Sequence, residues 1–268
     1  MTHFMKTKVK KTVLYGLAFM ASKWTIIFLL YHSGFWTYWF LLLFPIADTV
    51  AAITAVIYLK GNFKKYFAEE LEREYPNTFK LIIEEVNEAF ESIEDKSNLK
   101  EKSKNPLDKR LRFSAYFLAF IQVMEKRNLS FDEIKKHCLS IAKEYVKPKN
   151  RIHKWYLKLV PKLLALPFYK RFLKNLDDKV GIKHREGGFR AKIITDKNET
   201  LGFGYGIDIL ECGICHLFQQ NQASKYQNIL CEVDHLTSEL AGLQLIRTST
   251  IAEGASKCDF RFQKLATQ

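Results

Sequence analysis

No cysteine precedes Cys138, and the five in the chain are odd in number. That excludes the evenly paired framework of a small disulfide-stapled domain and favours a reducing compartment for the C-terminal part. Neither an internal repeat nor a low-complexity tract is present, so repeat architectures are excluded as well. A base-reading motif is also missing, although the formal net charge is +13. The lysines and arginines fall in separate clusters around 6–11, 60–65, 96–112 and 147–174. Nucleic acid is therefore not an expected partner. Gly202, Gly204 and Gly206 alternate at period two and precede no helix start, so the dinucleotide fingerprint is absent too. Strand residues that let another element come close are the expected role for these glycines.

What the chain does have is hydrophobic content, 47% with 21 Phe and 12 Tyr, which excludes a disordered or fibrous protein. Two apolar runs stand near the start: Thr12–Tyr31, with Lys23 as its one charge, and Phe35–Leu59, with Asp48 and the kinking Pro45. About 20 apolar residues cover a bilayer core, so the pair is expected to be a transmembrane hairpin closed by His32-Ser33-Gly34. Lysines 6–11 and 60–65 flank it, which predicts a multi-pass protein of two helices with both termini and the C-terminal domain cytoplasmic. A pair of buried helices in a soluble protein is the alternative.

Beyond this point three regions are expected: a hairpin anchor at 1–60, a helical region at 61–180 and an α+β domain at 181–268. Phe79, Ile82, Ile83, Val86, Phe90 and Ile93 repeat with helical spacing. After the polar connection 96–110, Phe113, Tyr116, Phe117, Phe120, Ile121 and Met124 mark a second helix. Ser130 with Glu133 forms a capping box that opens a third. The aromatic, basic segment Ile152–Leu176, interrupted by Pro161 and Pro167, suits a membrane surface or a kinked helix covering the C-terminal domain. From Gly187 onward two strand-like runs, two helices and two more strands predict an antiparallel sheet packed with helices.

The segments "ECGIC" (211–215), "LCEVDH" (230–235), "GLQLIRTSTIAEG" (242–254) and "CDFRF" (258–262) come in that order. In this combination the chain resembles the L-2-amino-thiazoline-4-carboxylic acid hydrolase family, over roughly Phe203–Phe262. More distantly it is similar to 4-vinyl reductase-type domains, which are small-ligand binding modules. The first resemblance implies a hydrolase-like enzyme that opens a small sulfur- and nitrogen-containing ring at a C–N bond, here anchored to the membrane by the expected hairpin, which is not part of the family's pattern. The second implies a non-catalytic ligand-binding or sensor module tethered to the membrane.

Ring opening calls for a nucleophile or activated water, a proton carrier and a cation for the substrate carboxylate. Cys258 is the candidate nucleophile, Asp234 and Asp259 the candidate acid/base groups, and Arg247 and Arg261 the candidate substrate-binding cations. Alternatively, Cys212 and Cys215, joined by Cys258, Cys231 or His216, would hold a water-activating zinc ion. Each of these residues has a structural reading too. Cys258 shares a strand face with Phe260 and Phe262, as a core thiol would. Arg247 and Asp259 form a cross-strand ion pair in one register, whereas a slip by one residue sets Arg247 against Phe260. Expected partners are a small molecule and the membrane, with homo-oligomer formation open.

Overall fold

The computed structural model describes residues 63–148, 151–166 and 169–265, and Phe63–Gln268 form one compact unit. Six helices come first: α1 (Lys64–Glu74), α2 (Phe79–Lys96), α3 (Lys109–Lys126), α4 (Phe131–Val146), α5 (Arg151–Leu164) and α6 (Lys170–Val180). Strands β1 (Arg190–Ile194) and β2 (Gly206–Glu211) follow. Then come helices α7 (Gly213–Gln220) and α8 (Gln227–Leu240), and strands β3 (Leu243–Ile246) and β4 (Cys258–Lys264).

Helix α3 is the axis of the core. Every side chain from Ala115 to Ile121 is fully buried, so this helix is apolar all round rather than on one stripe. Such a helix needs cover on every side. Helices α2, α4 and α7 pack against it. The capping box forms as the sequence implies: Ser130 accepts from the Glu133 backbone, and the Glu133 carboxylate accepts from the Ser130 amide at 2.9 Å.

The sheet is antiparallel with strand order β1-β2-β4-β3. Ile209 lies opposite Cys258, Ile207 opposite Phe260, and Leu245 opposite Phe262. These residues share the face that meets the helices, with α8 packed on β3 and α6 on β1. The other face carries Lys192, Gln244, Gln263, Asp259 and Arg261. A sheet that is apolar on one side and polar on the other is the usual antiparallel arrangement. Asp208 is buried on the polar face and is neutralised there by Lys257 at 2.6 Å and Arg261 at 2.8 Å.

The second strand begins later than its apolar pattern suggests. Leu201, Gly202 and Gly204 all have positive φ, so 201–204 is a turn. A Cβ on Gly204 would stand 2.5 Å from the Ala165 carbonyl oxygen. Glycine at this position is what lets the end of the α5 segment reach the satellite core of Phe203, Leu243, Leu245 and Phe262.

Among the described residues no helix is long and apolar enough to cross a membrane. The longest, α2 and α3, have 18 residues each; α2 is interspersed with glutamates, and α3 is charged at both ends. The expected fold class is corrected accordingly to an α+β unit of helices on one face of a four-stranded sheet. The transmembrane hairpin, the membrane anchor and partner, and the multi-pass cytoplasmic localisation are withdrawn with it. The two runs at 12–31 and 35–59 that suggested them lie outside the described residues.

Candidate functional site

The site grows from a polar connection. Asn105, fully buried, donates to the Phe189 carbonyl at 2.8 Å, and Asp108 accepts from the Phe189 amide at 2.9 Å. The segment 187–189 is thereby pinned beside α3. Helix α7 rests on it through Gly213, whose hypothetical Cβ would lie 2.9 Å from both the Gly187 carbonyl oxygen and Leu111 Cδ2. No other residue allows so close an approach. The residue just before Gly213, Cys212, is the N-cap of α7, and it follows directly from β2.

Cys212 is half-buried. The Cys215 thiol and the backbone amides of Ile214 and Cys215 act electrostatically on its sulfur, which makes no side-chain cap hydrogen bond to the helix. The Cys215 thiol is the larger influence, and burial opposes both; together they lower the Cys212 thiol to about 7. The partner shifts the other way: its interaction with Cys212, and then burial, push the Cys215 thiol well above its ordinary value. The two thiols are thus driven in opposite directions, Cys212 toward ionisation and Cys215 away from it.

Around this pair stand groups from three other elements. Arg110, on the first turn of α3, donates to Asp234 on α8 at 2.7 Å. The charge of Asp234 raises Arg110 above its ordinary value against the effect of burial, and Cys212 and Cys231 add smaller contributions. Arg247, after β3, is almost entirely buried and reaches the same carboxylate at 3.5 Å, while donating to the Cys231 carbonyl oxygen at 3.2 Å. Asp234 therefore lies between two guanidiniums. Cys258 enters from β4, where its sulfur accepts from the Ile251 amide at 3.2 Å. Burial pushes the Cys258 thiol up, and burial pushes Cys231 up to about 12. Both are poor nucleophiles at neutral pH.

The remaining expected residues are committed elsewhere. Ile246 lies opposite Arg261, which carries Arg247 past Asp259 and onto Phe260, with its guanidinium 5.2 Å from the ring centre. Asp259 instead gathers the loop after β3, accepting from Thr248 N and Oγ1 at 3.0 and 2.6 Å and from Ser249 N at 2.7 Å. Burial opposes its ionisation, but these bonds outweigh it and hold the carboxyl below the usual range. Arg261, on the same polar sheet face as Asp259, joins Asp208 and donates to the Glu199 carbonyl at 2.8 Å. The structure thus brings Cys212, Cys215, Cys231, Cys258, Asp234 and Arg247 together and sets Asp259 and Arg261 apart.

Zinc is corrected out of this picture. Among the described residues no group of three or more His, Cys, Asp or Glu side chains is placed to hold a metal ion. His216 does not join Cys212 and Cys215, because its ring turns onto Gly187, where an added Cβ would meet Cδ2 at 2.3 Å. Arg110 carries little signal in the sequence. Its only signal is a basic residue at the start of the helix that becomes the core axis.

The family model for L-2-amino-thiazoline-4-carboxylic acid hydrolase matches residues 109–262. No curated protein and no solved structure matches the chain, and the relation to 4-vinyl reductase-type domains finds no support. The matched region runs from the first residue of α3 to Phe262 in β4, so it contains Arg110, Asp234, Arg247 and the whole cysteine cluster. Hydrolase-type catalysis is what this match supports. Covering more than half of the sequence, it shows that the chain belongs to the L-2-amino-thiazoline-4-carboxylic acid hydrolase family.

Proposed function

We propose that the protein hydrolyses a small five-membered ring containing sulfur and nitrogen and bearing a carboxylate, and that Cys212 is its nucleophile. The arrangement that carries this reading is at the α7 N-terminus: a half-buried thiol beside an Asp234 carboxylate held between Arg110 and Arg247, with the Cys215 thiol favouring its ionisation. A thiolate near its own pKa at neutral pH is the combination that makes a cysteine effective in covalent catalysis.

The chemistry then runs in two halves. The Cys212 thiolate adds to the ring carbon between sulfur and nitrogen, and that carbon–nitrogen bond breaks as the ring nitrogen takes one proton from solvent and one from the exocyclic amino group. This leaves a covalent thioimidate in which the carbon is bonded to Cys212, to the substrate sulfur and to the exocyclic nitrogen. Water adds to the same carbon and gives a proton to Asp234, and the Cys212–carbon bond breaks to return the thiolate. The net change is one water consumed and an S-carbamoyl product formed. Arg110, half-exposed at the edge of the cluster, is the cation for the substrate carboxylate. Arg247 has little exposed surface for that task and serves to orient Asp234.

Incubation of the purified full chain with 2-amino-thiazoline-4-carboxylate tests this reading. Formation of the ring-opened product by wild type, and its loss in Cys212→Ser with unchanged circular dichroism, supports it. Binding without product would move the protein to the ligand-binding class, and an active Cys212→Ser variant would remove Cys212 from the chemistry.

A further inference from the structure

Cys212 and Cys215 are three residues apart at the start of one helix, at its N-cap and third helical position, the two positions whose side chains face each other in a capping box. Cys212 is half-buried and reachable from solvent, whereas Cys215 is only 4% exposed. An accessible attacking sulfur with a protected second thiol against it is the arrangement that thiol–disulfide exchange requires. We infer that Cys212 and Cys215 form a reversible intramolecular disulfide, by exchange with a low-molecular-weight disulfide, and that this bond switches the hydrolase off. The off-switch part rests on the function proposed above; the disulfide itself does not.

The exchange balances without any further reagent. Cys212 thiolate attacks one sulfur of the small disulfide, that S–S bond breaks, and one thiolate leaves and is protonated. Cys215 then loses its proton to solvent and attacks the Cys212 sulfur, expelling the second small thiolate. The protein dithiol is oxidised by two electrons and the small disulfide is reduced to two thiols. Because the two residues share one helix start, bridging them closes a short loop and leaves the sheet and α8 unconstrained. The same bond removes the only thiol of the cluster poised to ionise near neutral pH, so no nucleophile remains. Cys138 is fully buried, and Cys258 lies beneath the Ile251 amide. Neither is placed to compete.

The test uses the full chain and glutathione disulfide. After exposure, alkylation and peptide mapping should show a linked 212–215 peptide with Cys138, Cys231 and Cys258 still alkylated, and dithiothreitol should restore both thiols. Cys215→Ser should instead accumulate glutathione on Cys212, and Cys212→Ser should form neither species. A linked peptide involving Cys231 or Cys258, or glutathione accumulating at the same rate in Cys212→Ser, overturns the assignment. Oxidised wild type should lose at least about tenfold in hydrolysis, recovered on reduction. Full activity in the oxidised protein overturns the switch. Absence of turnover by the reduced protein overturns the function and the switch together, while the thiol map alone decides the disulfide.

Discussion

Arg110 and Asp234 are separated by most of the described sequence, yet their side chains meet at 2.7 Å. The contact ties the first turn of α3 to the middle of α8 beside the thiol at the start of α7. It also leaves Arg110 about half exposed while the carboxylate is largely covered, so the guanidinium can serve an incoming anion as well as Asp234.

Replacing Arg110 by Met should therefore raise KM about 10–100-fold, the equivalent of one charge-assisted contact, with a much smaller effect on kcat. Steady-state kinetics across substrate concentration separates the two parameters. An unchanged KM would assign the carboxylate to another group.

Activity should rise with pH through about 7, because the thiolate of Cys212 is the reactive form and its thiol is lowered to about that value. Stability should respond with the same sign. Between about 7 and the ordinary thiol value near 9, the unfolded chain holds a proton on Cys212 that the folded chain has released, so stability grows as pH rises and is lost as pH falls through about 7. The difference in denaturation midpoint between wild type and Cys212→Ser, followed from pH 6 to 9 on the order of half-unit steps, isolates this term.

Asp259→Asn should destabilise the protein by about 1–2 kcal/mol, since the loop at Thr248 and Ser249 loses charge-assisted bonds that are partly open to solvent. Its lowered carboxyl gives stability that is present above the ordinary aspartate value and lost as pH falls through the folded one. Turnover per folded molecule should survive. Urea denaturation combined with kcat distinguishes this structural role from an acid/base one.

Gly213→Ala should cost about 1–3 kcal/mol, because the new methyl group meets the Gly187 carbonyl and the Leu111 side chain at 2.9 Å. Both are fixed, one by backbone and one by the core. As α7 shifts, the rate of alkylation at Cys212 should fall as well, which iodoacetamide labelling would measure.

Much of the architecture is legible in local patterns. The periodicity of Ile82, Val86 and Phe90 and the Ser130–Glu133 box mark helices that the structure contains, since their causes lie within one or two turns of chain. The C-terminal antiparallel sheet is equally readable from alternation. The site is less so. "ECGIC" marks the thiols but not which one is poised, because that depends on Cys212 being an N-cap while Cys258 is buried in a strand. Asn105 and Asp108 read as part of a polar connection, and their role appears only when Phe189 arrives from far along the chain. Arg247 shows the limit sharply: a one-residue choice of register decides between Asp259 and Phe260, and nothing local fixes it.

The most direct test of the nucleophile is acid-quenched mass spectrometry of the full chain during turnover of 2-amino-thiazoline-4-carboxylate, with peptide mapping. A substrate-mass adduct on Cys212, absent from Cys212→Ser and gone once substrate is exhausted, is the predicted result. Continued turnover with no adduct on Cys212, or an adduct on Cys258 in its place, would contradict it.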